Sequence, residues 1–132
     1  MKPLIASLML VASAPALAGW EKVYEGSGVN RYVDPDSIVK DDEGDGYRTA
    51  RVLSEYKMSE QDFKRAHPDG TRSSVSLLEY DCKRNRYREL AAFSHAGRLG
   101  NGRLVGAEVN VTVWMKPENP AFAPAARFVC GR

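Results

Sequence analysis

The residues best suited to recognition chemistry lie in the segment Leu78 to Leu90, LEYDCKRNRYREL, where four cations cluster around a predicted turn. Guanidinium groups and tyrosine rings stack on aromatic groups and donate hydrogen bonds, as binding surfaces for flat or anionic ligands require. The alternative is a solvated turn whose cations pair with Asp81 and Glu89 across the strands, which the near-neutral charge of the chain favours. The residues of the candidate binding surface are Tyr80, Arg84, Arg86, Tyr87 and Arg88.

The sequence shows no catalytic arrangement, and we expect neither a catalytic residue nor an enzyme. A hydrolase would need Ser94 or Ser37 within hydrogen-bond reach of His95 or His67, but adjacent strand residues point to opposite faces and no G-x-S-x-G segment frames a serine.

Two histidines and two cysteines are too few for a zinc site. The acidic loop KDDEGDG resembles the start of a calcium loop, but Val52 stands where the bidentate glutamate should be. We therefore expect no metal and no cofactor, and the absence of C-x-x-C-H gives no site for haem.

The two cysteines, Cys82 and Cys130, indicate a structural disulfide if the chain is exported. A redox pair would show the C-x-x-C spacing, which is absent. Two free thiols are the alternative.

The N-terminus has the plan of a secretory signal peptide: a cation at Lys2, an apolar run too short to span a bilayer, and an A-x-A site ending at Ala18. We expect residues 1–18 to be removed, leaving residues 19–132 as one domain in the periplasm or outside the cell.

Loss of Lys2 leaves 18 of the 19 Lys and Arg residues against 17 Asp and Glu. A net charge of about +1 gives no field for nucleic acid, and we expect neither a nucleic-acid partner nor a membrane span.

The pattern of apolar residues predicts an α+β fold, an antiparallel sheet of about six strands with a C-terminal helix packed on one face and tied by the disulfide. Residues 20–25 and 29–34 read as a hairpin, and 47–56 as a strand. Residues 58–66 suggest a turn of helix that stops before Pro68. The next two strands lie at 74–82 and 87–95, with Leu78, Tyr80 and Cys82 on one face and with Tyr87, Ala91 and Phe93 sharing a face.

The alternation in LVGAEVNVTVWM predicts one long strand over residues 104–115, with Val109, Val111, Val113 and Met115 on one face. The closing segment AFAPAARFVCGR predicts a short helix. Its regular part should begin near Pro124, because proline deletes a hydrogen bond inside a helix. Gly131 is well placed to end it.

Several of these segments together resemble the surface-adhesin protein E family of Gram-negative bacteria. The resemblance rests on Trp20 with Val23, RYVDPDSI, EYDCKRNRYREL, FSHAGRLGNG, a tryptophan followed by proline, and the final FVCG, and it covers nearly all of residues 19–132. It implies a helix tied to an antiparallel sheet by one disulfide, here Cys82 to Cys130. It also implies adhesion to host proteins and dimer formation.

The sequence therefore predicts an exported, non-enzymatic binding module that recognises a protein partner or a ligand of the extracellular-matrix type. The alternative is a small structural or assembly protein of the cell envelope that self-associates, as a homodimer for example, through a sheet edge.

Overall fold

The computed structural model describes residues 19–41 and 44–131, so the predicted signal peptide lies outside the described residues. The strands are β1 (Glu21–Glu25), β2 (Val29–Val33), β3 (Val39–Lys40), β4 (Tyr47–Tyr56), β5 (Ser73–Asp81), β6 (Arg86–His95) and β7 (Leu104–Glu108). They form a seven-stranded antiparallel sheet with spatial order β1-β2-β4-β5-β6-β7, and β3 pairs with the start of β4. The predicted α+β fold is confirmed, and the short β3 is added where the sequence indicated only a turn and loop.

The predicted helical turn before Pro68 is present as α1 (Glu60–Ala66). It starts at Ser59, whose Oγ accepts a hydrogen bond from the backbone N–H of Asp62 at 3.2 Å. This capping bond satisfies one of the donors that every helix leaves free at its N-terminus. Phe63 supplies the buried contact of the helix.

The C-terminal helix α2 (Ala123–Cys130) has the boundaries that the sequence predicted. Pro124 lies in the first turn, where its missing N–H costs nothing. Gly131 ends the helix in the left-handed conformation, with φ 74°. The side of α2 that carries Val129 is buried, and the Arg48 guanidinium donates a 2.7 Å hydrogen bond to the Val129 carbonyl. The disulfide between Cys82 and Cys130 is formed, so the helix is tied to the end of β5.

The sheet has a buried cluster on each side. The face under α2, here called the helix face, carries Val33, Ala50, Val52, Leu78, Tyr80 and Tyr87, packed against Ala125, Ala126 and Val129. The other side, here called the opposite face, carries a smaller cluster of Tyr32, Leu53 and Val75, with Trp20 and Leu99 packed against it. The two clusters follow from the strict alternation of side chains along β4 and β5.

A β-bulge in β6 overturns one predicted face assignment. Leu77 pairs with Ala91 but its neighbour Leu78 pairs with Glu89, so Leu90 is an extra residue in the ladder. An extra residue moves every later side chain of the strand to the other face of the sheet, relative to unbroken alternation. Tyr87 therefore packs on the helix face, whereas Phe93 pairs with Val75 on the opposite face.

The predicted long strand over residues 104–115 is wrong beyond Glu108, where β7 ends. Further along, the chain is no longer paired residue by residue with β6. Thr112 exchanges hydrogen bonds with Glu89, and Met115 forms a reciprocal backbone pair with Tyr87. The alternating valines are exposed, with relative exposures of 76% for Val109, 61% for Val111 and 79% for Val113. Alternation predicts an extended chain, but it does not report whether another layer covers the apolar side.

Candidate functional site

The two tyrosines of the candidate binding surface are part of the core. Tyr80 is 2% exposed and Tyr87 is 7% exposed, and their ring centroids lie 6.1 Å apart on the helix face. The Tyr87 ring also stacks on Phe122, just before α2, at 5.7 Å. Burial raises the pKa of both phenols, so both stay neutral well above physiological pH.

The arginines of the hairpin lie on the opposite face, around a fully buried carboxylate. Asp81 accepts hydrogen bonds from the Arg86 Nε at 2.9 Å and the Arg84 Nη1 at 3.1 Å, and its other oxygen accepts from the Arg84 backbone N–H. Burial alone would raise the pKa of Asp81, but the hydrogen bonds from Arg86 and Arg84 outweigh it and hold that pKa below its usual value. The predicted pairing of the cations with Asp81 is present.

Arg88 pairs with Glu79, the residue opposite it on β5, at 2.7 Å. Glu89, which the sequence suggested as a partner for the cations, accepts a hydrogen bond from the Ser76 hydroxyl at 2.7 Å. The alternation of side chains explains the difference, because Arg88 and Glu89 are neighbours on β6 and point to opposite faces. Glu89 lies on the helix face near Ser76, whereas Arg88 lies with Glu79 on the opposite face.

Trp114 contacts both of these paired arginines. The guanidinium carbons of Arg86 and Arg88 stand 4.5 and 4.4 Å from the centroid of its ring, and the Tyr47 ring lies 5.9 Å away. The sequence did not indicate this contact, because it joins residues from separate parts of the chain without a local motif. We call Tyr47, Arg84, Arg86, Arg88 and Trp114 the Trp114 platform.

A groove of about 650 Å³ crosses the opposite face beyond the platform. Its floor is apolar and consists of Val75 and Leu77 from β5 and Phe93 from β6. Arg51 and Trp20 form the wall at the β4 end, Leu104 stands at the β7 end, and the other lining residues are His95, Leu99, Gly100 and Asn101. Sequence reasoning missed the groove, because its two ends come from distant parts of the chain.

Two polar side chains that line the groove, Arg51 and His95, differ in the partners that they already contact. Arg51 stacks over Trp20 at 5.1 Å and pairs with Asp34 through a long 3.4 Å contact. The Nδ1 atom of His95 is buried and has no hydrogen-bond partner among the described residues. Among the described residues that line the groove, Arg51 is the only permanently charged one.

The residues suggested for hydrolysis are placed for structural roles. The Ser37 hydroxyl donates to the Asp34 carbonyl at 2.7 Å and accepts from the Arg51 backbone N–H at 2.8 Å. The His67 ring lies against Tyr56, with centroids 4.7 Å apart. Ser94 pairs with Ser74 on the helix face, and its neighbour His95 lines the groove on the opposite face.

Within residues 19–41 and 44–131, no three His, Cys, Asp or Glu side chains are grouped so that they could hold a metal ion. None of the helices in the described part of the chain has the length and apolar character needed to cross a membrane.

Comparison with known proteins agrees with the fold. Among solved structures, Haemophilus influenzae protein E matches with a TM-score of 0.62 and 13% identity, covering 86% of this chain and 85% of that one. Its selenomethionine form matches with a TM-score of 0.63 and 16% identity, covering 87% and 88%. No curated protein sequence is similar enough to count as a match. The family model described as "Surface-adhesin protein E" matches residues 20–131, and the chain therefore belongs to the surface-adhesin protein E family.

Proposed function

We propose that this chain is a periplasmic or secreted binding module without catalytic activity, and that it recognises a protein partner through the Trp114 platform. The observation that carries the proposal is the contact of the Trp114 indole with the guanidinium groups of both Arg86 and Arg88. Membership of an adhesin family supports an exported protein whose task is binding, and a host matrix protein is the partner that this family suggests.

The residue types of the platform suit a protein interface. Tryptophan, tyrosine and arginine are the residues most often found to dominate binding energy when they are replaced by alanine. Here Trp114 is half-buried and Arg84 is exposed, so both remain accessible to a partner. The hairpin also carries four cations, Lys83, Arg84, Arg86 and Arg88, against three carboxylates, and one of these, Glu89, lies on the helix face, away from the platform. The partner surface is therefore expected to be acidic and to offer an aromatic or other flat group.

The platform is also held rigid before binding. Asp81 fixes Arg86, Glu79 fixes Arg88, and the disulfide at Cys82 fixes the start of the turn. A surface that is already ordered loses less conformational entropy when it binds, which strengthens the complex without new contacts.

Binding of the disulfide-bonded protein to an immobilised preparation of extracellular-matrix proteins tests this proposal. Replacing Trp114 with alanine should weaken binding at least ten-fold, as loss of a central tryptophan typically does. Arg103→Gln is the matched control, because Arg103 is an exposed cation outside the platform. Equal binding by the native protein and the Trp114 variant, with both folded, would contradict the proposal.

A second candidate is self-association through the β7 end of the sheet, and the exposed valines favour it. Val109, Val111 and Val113 follow the edge strand and present alternating apolar side chains to solvent. An uncovered apolar edge is a template for pairing with another chain. Light scattering on the native protein and on a triple valine-to-serine variant separates the candidates: a concentration-dependent dimer that the variant abolishes supports self-association, and a native monomer at all concentrations excludes it.

A further inference from the structure

We infer that the groove on the opposite face is a binding site for a linear apolar molecule with a carboxylate head, such as a medium-chain acyl carboxylate. The head would lie at Arg51 and the chain would run over the floor towards Leu104. This site is separate from the Trp114 platform, and the inference does not depend on the proposed function.

The length and polarity of the groove indicate a linear ligand. Arg51 lies on β4 and Leu104 on β7, three strand spacings apart in the sheet, which is about 14 Å. Between these ends the floor consists of Val75, Leu77 and Phe93. Because single bonds of about 1.5 Å zigzag, each advances an extended chain by only about 1.2–1.3 Å, so roughly twelve carbons cover this distance and decanoate covers most of it.

The charge in the groove indicates the head group. Within residues 19–41 and 44–131, Arg51 is the one permanently charged side chain that lines the groove, and none of the lining residues carries a carboxylate. Its contact with Asp34, at 3.4 Å, is longer than a good charged hydrogen bond, and exposed pairs of this kind contribute little. The guanidinium therefore keeps donors for a ligand carboxylate while the Trp20 ring supports it from one side.

A peptide fits the same groove less well. An extended peptide crossing the floor would place its N–H and C=O groups against Val75, Leu77 and Phe93, which offer no partner. Buried backbone groups without partners cost free energy, whereas methylene groups have no such requirement.

Isothermal titration calorimetry on the purified, disulfide-bonded protein tests the inference with octanoate, nonanoate, decanoate, 1-decanol and decylamine below their aggregation limits. Each added methylene should tighten carboxylate binding about four-fold, the factor that burial of one methylene supplies. Decylamine should not bind measurably. Absence of decanoate binding, equal binding of decanoate and decylamine, or an affinity independent of chain length would overturn the inference.

Variants locate the site. Arg51→Gln should weaken decanoate binding roughly ten-fold and leave 1-decanol unchanged, because only the charged hydrogen bond is lost. Arg51→Lys should retain the preference for carboxylate, which keeps the test valid if the glutamine variant folds poorly. Leu104→Ser should weaken every ligand, whereas the matched controls Arg103→Gln and Val109→Ser should change none. This location would be refuted if Arg103→Gln weakened decanoate binding as much as Arg51→Gln does. It would also be refuted if Val109→Ser weakened binding as much as Leu104→Ser does.

Discussion

Removal of the disulfide should lower the free energy of unfolding by about 4 kcal/mol. The bond joins Cys82 and Cys130, which are 48 residues apart in sequence. In the chain-entropy account, closing a loop of that length in the unfolded state removes conformational entropy worth about 4 kcal/mol. Small domains have total stabilities of roughly 5–15 kcal/mol, so this one bond accounts for a large share.

The contacts of α2 decide what remains when the bond is gone. The helix has 8 residues, too few to be stable alone in water. It retains the buried contacts of Val129 and Ala126 and the hydrogen bond from Arg48, so it should stay docked while the sheet is folded. The double variant Cys82→Ser with Cys130→Ser should therefore unfold in one transition, at a lower denaturant concentration.

Urea unfolding followed by tryptophan fluorescence and circular dichroism measures this loss for three samples: the native protein, the native protein with its disulfide reduced, and the double serine variant. Reduction keeps the sulfur atoms in place, so equal losses in the last two samples assign the effect to the cross-link. A loss below about 1 kcal/mol would refute the entropic reasoning. Two separate transitions would refute the expectation that α2 stays docked.

Three further predictions concern single residues. Asp81→Asn should cost about 2 kcal/mol, because a fully buried carboxylate that accepts from Arg84 and Arg86 is lost. The pKa of Asp81 is lowered on folding, so its contribution is present above about pH 4 and is lost as the pH falls below that; acid titration of stability should show a smaller slope in the variant. The pKa of Tyr80 is raised by burial, so its contribution is present below about pH 10 and is lost as the pH rises; in Tyr80→Phe, alkaline unfolding should move to higher pH, and an unchanged midpoint would contradict this. Asn85, in the β5–β6 turn, has φ 50°, so Asn85→Gly should leave thermal stability unchanged or raise it slightly, and a fall above about 1 kcal/mol would show that the asparagine side chain stabilises the turn.

The sequence was sufficient for features that depend on neighbouring residues. The period of two in Leu78, Tyr80 and Cys82 placed the cysteine on the face where α2 packs. Gly131 and Pro124 marked the ends of that helix because their backbone preferences act locally. The packing of Tyr80 and the disulfide confirm the predicted face, and the bounds of α2 confirm the predicted helix ends.

The sequence was insufficient where one extra residue or a missing layer decided the outcome. The bulge at Leu90 moved Tyr87 to the helix face, and no local signal separates a bulge from continued alternation. The run around Val111 has strong strand character, but burial depends on a covering layer that the pattern does not encode. The stacking of Trp114 on the hairpin likewise depends on the path of a distant segment.

The ion pairs of the hairpin explain why a nearly neutral chain carries so many arginines in one place. Arg86 and Arg88 each contact a carboxylate of β5 and the face of Trp114, so they hold the segment after β7 against the sheet. Without them the half-buried indole would have few partners on that face. The cations are therefore needed for the structure of the platform whether or not a partner binds. For this reason a substitution of Arg86 or Arg88 breaks an ion pair as well as the stacking contact, whereas Trp114→Ala leaves both ion pairs in place and is the sharper probe of binding once its free energy of unfolding has been measured.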